Sequence, residues 1–179
     1  MKTVMYLISV YFDEKTNNRI QRFMDMIASK TGNTFMTDNH VPPHMTVSSV
    51  EARSADVLVP EVEELEKCLI RGKVRFVSVG SIFPYVLYVT PVLNEYLQDL
   101  SRQIYKAVST VPETTVSRYY QPMSWLPHVT VGKTLTKEQM QMAFSVMQDN
   151  FSVFEGQVVS LGLAKPNPHR DVLRFDLKG

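Results

Sequence analysis

The sequence predicts an α+β domain made of two similar halves, and three observations carry this prediction. Strand-like and helix-like segments interleave along the 179 residues, which favours an α+β arrangement over a doubly wound parallel sheet. The composition, with 44% hydrophobic and 21% charged residues, is that of a globular protein. The phrase Pro-His-x-Thr-Val stands at residues 43–47 and again at 127–131, each time after a loop and before a helix. We therefore expect residues 1–179 to form one duplicated, two-lobed domain.

The first half begins with a strand at residues 3–12, where Val, Ile, Tyr and Phe are frequent, as in a buried strand. A helix is predicted over 13–31, with Asp13 as its N-terminal cap and Gly32 as its stop. Its apolar residues follow the i, i+3, i+4, i+7 spacing of an amphipathic helix: Ile20, Phe23, Met24 and Ile27. A loop with two adjacent prolines then leads to a strand at 44–50.

A second helix is predicted over residues 56–71. Its inward-facing residues are Val62, Leu65, Leu69 and Ile70. Cys68 lies within the same segment, and we expect its thiol to be buried and unreactive. Two strands, at 73–79 and 85–90, complete the first half.

The second half repeats these ingredients in the same order. A helix over 92–109 carries Leu93, Leu97, Leu100 and Ile104, and an irregular segment with three prolines follows over 110–127. A strand at 128–132 bears the second motif, and Thr136 opens a helix that runs to about residue 149. The last two strands are predicted at 153–163 and 171–177, joined by a turn over 165–170.

Each motif offers one imidazole and one hydroxyl to a single surface. Residues i and i+2 of a strand point to the same face, so His44 is expected beside Thr46, and His128 beside Thr130. The residues between and after them then face apolar packing. By the same alternation, Lys133 is expected to face away from His128.

Two imidazoles and two hydroxyls suit a phosphodiester held between them. The hydroxyls can donate to the non-bridging oxygens, while one neutral histidine takes a proton from water and a protonated one supplies the leaving oxygen. This scheme requires no metal and no cofactor. A zinc site would need three or four ligands, and the other histidines, His40 and His169, are expected to be solvated in loops and turns.

The bulk properties restrict the partners of the protein. The net charge of +1 shows no basic field for a long nucleic acid, and no stretch approaches the roughly 20 apolar residues of a membrane span. A single cysteine fits a reducing compartment, so we expect a cytoplasmic protein. A monomer is expected.

The two motifs resemble the paired His-x-Thr signatures of the two-histidine (2H) phosphoesterase superfamily, which includes bacterial 2′-5′ RNA ligase-like proteins and cyclic phosphodiesterases. The resemblance implies a bilobal α+β fold in which two pseudo-symmetric antiparallel sheets flank a central cleft, with the helices on the outside. It implies catalytic roles for His44 and His128 and phosphate contacts for Thr46 and Thr130. The implied substrates are a 2′,3′-cyclic nucleotide, an RNA end with a cyclic phosphate, or ADP-ribose cyclic phosphate. Lys133 stands where the ligase-like branch commonly has an arginine.

The loop before His128 supplies further substrate-binding candidates. Aromatic rings of Tyr119, Tyr120 and Trp125 could stack on a base, and Arg118 could meet a phosphate. The alternative is that these aromatic residues anchor a long loop to the core. The leading hypothesis is hydrolysis of a cyclic phosphodiester. Its rivals are 2′-5′ joining or cleavage of RNA, and a low-turnover module that binds a nucleotide or an RNA end.

Overall fold

The computed structural model describes residues 3–179, which form one antiparallel sheet of eight strands together with five α-helices, confirming the α+β prediction. The strands are β1 (Val4–Phe12), β2 (Met45–Ala52), β3 (Gly72–Ile82), β4 (Val86–Pro91), β5 (Thr115–Val116), β6 (Val129–Gly132), β7 (Phe154–Lys165) and β8 (Arg170–Asp176). The helices are α1 (Glu14–Thr31), α2 (Phe35–Asp38), α3 (Val59–Glu64), α4 (Glu95–Val108) and α5 (Lys137–Asn150).

The ends of the long helices follow the capping signals in the sequence. The Asp13 side chain accepts a hydrogen bond from the Thr16 backbone N–H, and Gly32 ends α1 at a φ of 71°, where a side chain would be strained. Thr136 and Gln139 form a reciprocal capping box at the start of α5. Among residues 3–179, no helix is both long and apolar enough to cross a membrane.

The two halves repeat one arrangement of strands. In the structure β4 belongs with the second half rather than the first. In each half a strand is then followed by a long helix and by a strand that begins directly after the motif histidine, called here the histidine-bearing strand; it pairs antiparallel with the first strand, β2 with β1 and β6 with β4. The order of the sheet is β5-β2-β1-β7-β3-β4-β6, and β8 also pairs with β7. The strands of the two halves are thus joined through β7, whose final residues contact β1 and β8 and whose first residues contact β3.

The long helices interlock the two halves. Helix α1 leaves the first half and packs against β6 and α5, whereas α4 leaves the second half and packs against β2 and α3. Each histidine-bearing strand is therefore supported by a helix of the other half. The apolar residues of both motifs, Met45, Val47, Val129 and Val131, are at most 1% exposed, as the alternation predicts.

The segment predicted as a helix over 56–71 is instead broken into short pieces. A 3₁₀ turn spans Ala55–Val57, α3 covers only six residues, and a second 3₁₀ turn spans Leu65–Lys67. Pro60 lies in the first turn of α3, where its missing N–H is tolerated, but it prevents the preceding turn from continuing as one helix. The helical spacing therefore fails after residue 67, and the prediction that Cys68 and Ile70 are buried is wrong: both are exposed.

Candidate active site

A cavity of about 350 Å³ lies where β2 and β6 face each other. Its wall contains the imidazoles of His44 and His128 and the hydroxyls of Thr46 and Thr130, so the structure brings together all four side chains of the two motifs. The volume is within the range of small-molecule pockets, roughly 300–1,000 Å³.

The same hydrogen bond fixes both imidazoles. Nδ1 of His44 lies 2.7 Å from the carbonyl oxygen of Pro42, and Nδ1 of His128 lies 2.8 Å from that of Leu126. Because a carbonyl oxygen can only accept, Nδ1 carries the proton in each ring. In the neutral ring, Nε2 is therefore left with a free lone pair.

The proline of each motif explains the position of that carbonyl group. The residue before a proline is confined to extended conformations by a steric clash with the proline ring. Pro43 restricts Pro42 in this way, and Pro127 restricts Leu126. The backbone alone therefore restricts the orientation of the carbonyl group that binds the histidine.

A β-bulge follows the threonine in each motif, at equivalent positions. In β2 the pairing passes from Ser9–Thr46 to Ile8–Ser48, which leaves Val47 as the extra residue. In β6 it passes from Tyr88–Thr130 to Leu87–Gly132, which leaves Val131 as the extra residue. An extra residue reverses the alternation of faces beyond it.

The bulges place the fifth residue after each histidine in the cavity wall. These residues are Ser49 in the first motif and Lys133 in the second, and both line the cavity with His44 and His128. The expectation that Lys133 faces away from His128 is therefore wrong, because it assumed an unbroken strand. Lys133 lies half-buried with Nζ 5.5 Å from the centre of the Phe35 ring.

The two threonines differ in their surroundings. The Thr46 hydroxyl lies 3.2 Å from the Ser9 hydroxyl, in a buried contact where either group could donate. The Thr130 hydroxyl has no hydrogen-bond partner within residues 3–179. Either hydroxyl can be directed toward an anion in the cavity, since a hydroxyl hydrogen rotates to suit its partner.

Burial lowers the pKa of both histidines. For His44 the pKa falls to about 4, because desolvation disfavours the imidazolium and the positive charges of His169, His128 and Lys133 act in the same direction. The hydrogen bond to Pro42 opposes this shift. For His128 the pKa is lowered by burial, and the hydrogen bond to Leu126 opposes the change. The imidazoles of His44 and His128 are therefore neutral at neutral pH.

His169 lies in the cavity wall, so the expectation that it is solvated is wrong. Its side chain is only 9% exposed, and its ring centre is 5.5 Å from that of His44. Position in a turn suggested solvation, but this turn folds back over the site. His40, by contrast, is exposed and lies outside the cavity wall. Within residues 3–179 no group of three or more His, Cys, Asp or Glu side chains is arranged to hold a metal ion.

The loop before His128 divides its aromatic residues between the cavity and the core. Tyr120 lines the cavity. Arg118 and Tyr119 are exposed and contact each other outside it. Trp125 is 6% exposed, and its Nε1–H donates to the backbone carbonyl of Thr46 at 3.0 Å. This placement favours the anchoring role for Trp125, which ties the second motif's loop to the first motif's strand.

Comparisons with known proteins agree with the resemblance of the two motifs to a known superfamily. The family model of the 2′-5′ RNA ligase superfamily matches residues 12–170. A search of curated proteins finds no significant match.

Solved structures share the fold at low sequence identity. The crystal structure of E. coli LigT complexed with 3′-AMP has a TM-score of 0.66 and 11% identity, with 99% of this chain and 100% of that chain covered. A phosphoesterase crystal structure has the same TM-score, 10% identity, and 98% and 99% coverage. TT0787 of Thermus thermophilus has a TM-score of 0.59 and 12% identity, also over 98% and 99%.

The hydrogen bond of Trp125 can be tested by a stability measurement. We expect Trp125→Phe to lower the free energy of unfolding by about 1–3 kcal/mol, because a buried carbonyl loses its donor. Urea denaturation provides the measurement. The control is Tyr119→Phe, which removes a polar group from an exposed ring of the same loop and should change stability by less than about 0.5 kcal/mol. Equal effects for the two variants would contradict the anchoring role.

Proposed function

The chain belongs to the 2′-5′ RNA ligase superfamily, and we propose that it is a cytoplasmic, metal-independent phosphoesterase that hydrolyses a cyclic phosphodiester of a nucleotide or an RNA end. The observation that carries the proposal is the pair of imidazoles in one cavity wall, each with its Nδ1–H bound to a backbone carbonyl. Each ring then presents Nε2 for proton transfer. One can accept a proton while the other, when protonated, donates one.

The reaction is an in-line displacement at phosphorus. The threonine hydroxyls of Thr46 and Thr130 and the ammonium group of Lys133 hold the non-bridging oxygens. A neutral imidazole removes a proton from water as the new P–O bond forms, and an imidazolium protonates the ribose oxygen as the old P–O bond breaks. The Nδ1–H donated to a carbonyl stabilises each ring in its charged form. The product is a phosphate monoester.

The charges around the two histidines assign their roles. Binding of an anionic substrate favours protonation of one of the two histidines. The proton goes to the ring whose charged form is less disfavoured by burial and by neighbouring positive charges. His44 is opposed by the positive charges of His169 and Lys133, and burial with these charges takes its pKa to about 4. We therefore assign the base to His44 and the acid to His128.

A nucleotide is the substrate class that the surroundings favour. The cavity joins the polar motif side chains to an apolar wall that includes Met5, Leu7 and Tyr120, which suits a base beside a phosphate. Structures of E. coli LigT with 3′-AMP, ATP and NADP⁺ support nucleotide binding by a protein of this fold. The chain's single cysteine suits the reducing cytoplasm.

The activity is tested with 2′,3′-cyclic nucleotides and with RNA oligomers that end in a cyclic phosphate, followed by ³¹P NMR. We expect hydrolysis to a single monoester, and a loss of about 10²–10⁴-fold in kcat for His44→Asn and for His128→Asn. His40→Asn is the matched control, because His40 is exposed and outside the cavity. Chelator should leave the rate unchanged. Full activity in both site variants, or loss with chelator and recovery with zinc, would refute the mechanism.

The assignment of acid and base is tested with a substrate whose leaving oxygen is replaced by sulfur. A thiolate leaves without a proton at neutral pH, since thiols have pKa values near 8.5. We compare each variant with the wild type by its fold loss in kcat. For His128→Asn this loss should be at least about tenfold smaller on the sulfur analogue than on the natural cyclic phosphate, whereas for His44→Asn it should be the same on both substrates. The reverse pattern would exchange the two roles.

The pH dependence of kcat/KM reports the pKa values of the acid and the base in the free protein. We expect kcat/KM to rise with pH through about 4, as His44 loses its proton. It should fall again as His128 loses its proton, with a midpoint below the ordinary histidine pKa of about 6.5. Lys133→Gln removes a positive neighbour and should move the acid limb to higher pH. Lys137→Gln, on an exposed lysine, is the control. An acid limb that stays in place in Lys133→Gln would contradict this electrostatic coupling.

A further inference from the structure

His169 is the one cavity-lining imidazole that lies outside the two motifs. It occupies the turn between β7 and β8, and its ring packs against that of His44 with an interplanar angle of 44°. Its partners come from distant parts of the chain. The backbone N–H of His169 donates to the Asn39 carbonyl at 2.8 Å, which attaches this turn to the loop before β2.

Two side chains fix one edge of the His169 ring. Nε2 lies 3.1 Å from Oδ1 of Asp171 and 3.3 Å from the hydroxyl of Tyr11. The Tyr11 hydroxyl also donates to Oδ1 of Asp171 at 3.4 Å. A carboxylate can only accept, so both O–H and Nε2–H converge on Asp171. Tyr11 is 2% exposed, which makes this edge of the ring rigid.

The other ring nitrogen of His169 is free. Nδ1 has no hydrogen-bond partner within residues 3–179, although the ring is nearly buried in a cavity wall. An imidazolium that donates Nε2–H to a carboxylate has one further N–H, at Nδ1, which can donate to a second acceptor. The acceptor that would complete this pair is an anion in the cavity.

We propose that His169 is a third functional imidazole of this site, which Asp171 and Tyr11 hold beside His44 so that its Nδ1–H donates to an anionic phosphoryl oxygen of the substrate. This inference rests on the proposed function for the identity of the substrate. The charged groups that face this region are His128 and Lys133, which flank β6, and Asp171 and Arg174 from β8; the Arg174 guanidinium lies 3.7 Å from the centre of the Tyr11 ring. Asp171 is the only anion among these four, and it is already shared by two donors.

The direct test is an NMR titration with inorganic phosphate, which needs no turnover. In ¹⁵N-labelled protein at pH 6 we expect phosphate to move the imidazole resonances of His169, with the larger change at Nδ1. Movement of the His44 and His128 resonances with those of His169 unchanged would overturn the proposal.

Variants supply the second readout. His169→Asn keeps an amide N–H near the position of Nδ1 but loses the charge, and Asp171→Asn keeps the ring but loses its counter-ion. Each should raise the dissociation constant for phosphate roughly tenfold at pH 6, the usual loss when one charged hydrogen bond is removed. His40→Asn should bind phosphate as the wild type does. Wild-type affinity in both His169→Asn and Asp171→Asn would also overturn the proposal.

The origin of the phosphoryl oxygen is distinguished by two substrates, 2′,3′-cyclic AMP with and without a 5′-phosphate. An equal loss of kcat/KM in His169→Asn on both assigns the contact to the reacting phosphate, whereas a loss only on the 5′-phosphorylated form assigns it to the second phosphate. No loss on either substrate would refute a substrate contact. A protein that binds phosphate through His169 but leaves cyclic phosphates intact would refute the proposed hydrolysis and support the His169 contact.

Discussion

The chemistry proposed for the cavity depends on two backbone carbonyl groups, those of Pro42 and Leu126. A neutral imidazole can carry its proton on either nitrogen, and only the tautomer with the proton on Nδ1 leaves Nε2 able to accept one. Each carbonyl selects that tautomer, at 2.7 and 2.8 Å. The same bond supports the charged ring once Nε2 is protonated. The proline before each histidine takes no part in the chemistry, yet it restricts the residue that supplies the carbonyl.

A β-bulge in each motif strand adds a third side chain to the cavity wall. In a regular strand the second and fourth residues after a histidine share its face, and the fifth points to the opposite face. The extra residues Val47 and Val131 reverse this alternation, and their burial in the core keeps each bulge in place. Each motif therefore delivers three side chains to the cavity rather than two. The third is a hydroxyl in one copy, Ser49, and an ammonium group in the other, Lys133.

Local patterns predicted the elements and the core of the site, and non-local contacts account for what they missed. Helix α1 and the His-x-Thr strands follow from spacing and capping, which involve neighbours along the chain. The position of Lys133 depends on how β6 pairs with β4, and the residue types of the motif do not indicate a bulge. His169 meets Tyr11 across 158 residues of sequence, so its turn-like surroundings were misleading. The prediction of one helix over 56–71 failed because Pro60 permits a helix to begin but not to pass through it.

The duplication alone would give a symmetric site, whereas acid–base catalysis requires two inequivalent histidines. Equal pKa values would place a single proton on the wrong ring half of the time, and a substrate held in one orientation would then be unreactive. The residues that break the symmetry lie outside the shared part of the motifs. Beside His44 stand His169 and Tyr11, and beside His128 stands Tyr88 at 5.2 Å between ring centres. Burial lowers the pKa of both rings, and only at His44 do neighbouring positive charges add to it, so the single proton favours His128. The repeated backbone thus builds the frame of the site, and in the proposed mechanism side chains from β1, β4 and the β7–β8 turn set the direction of proton transfer.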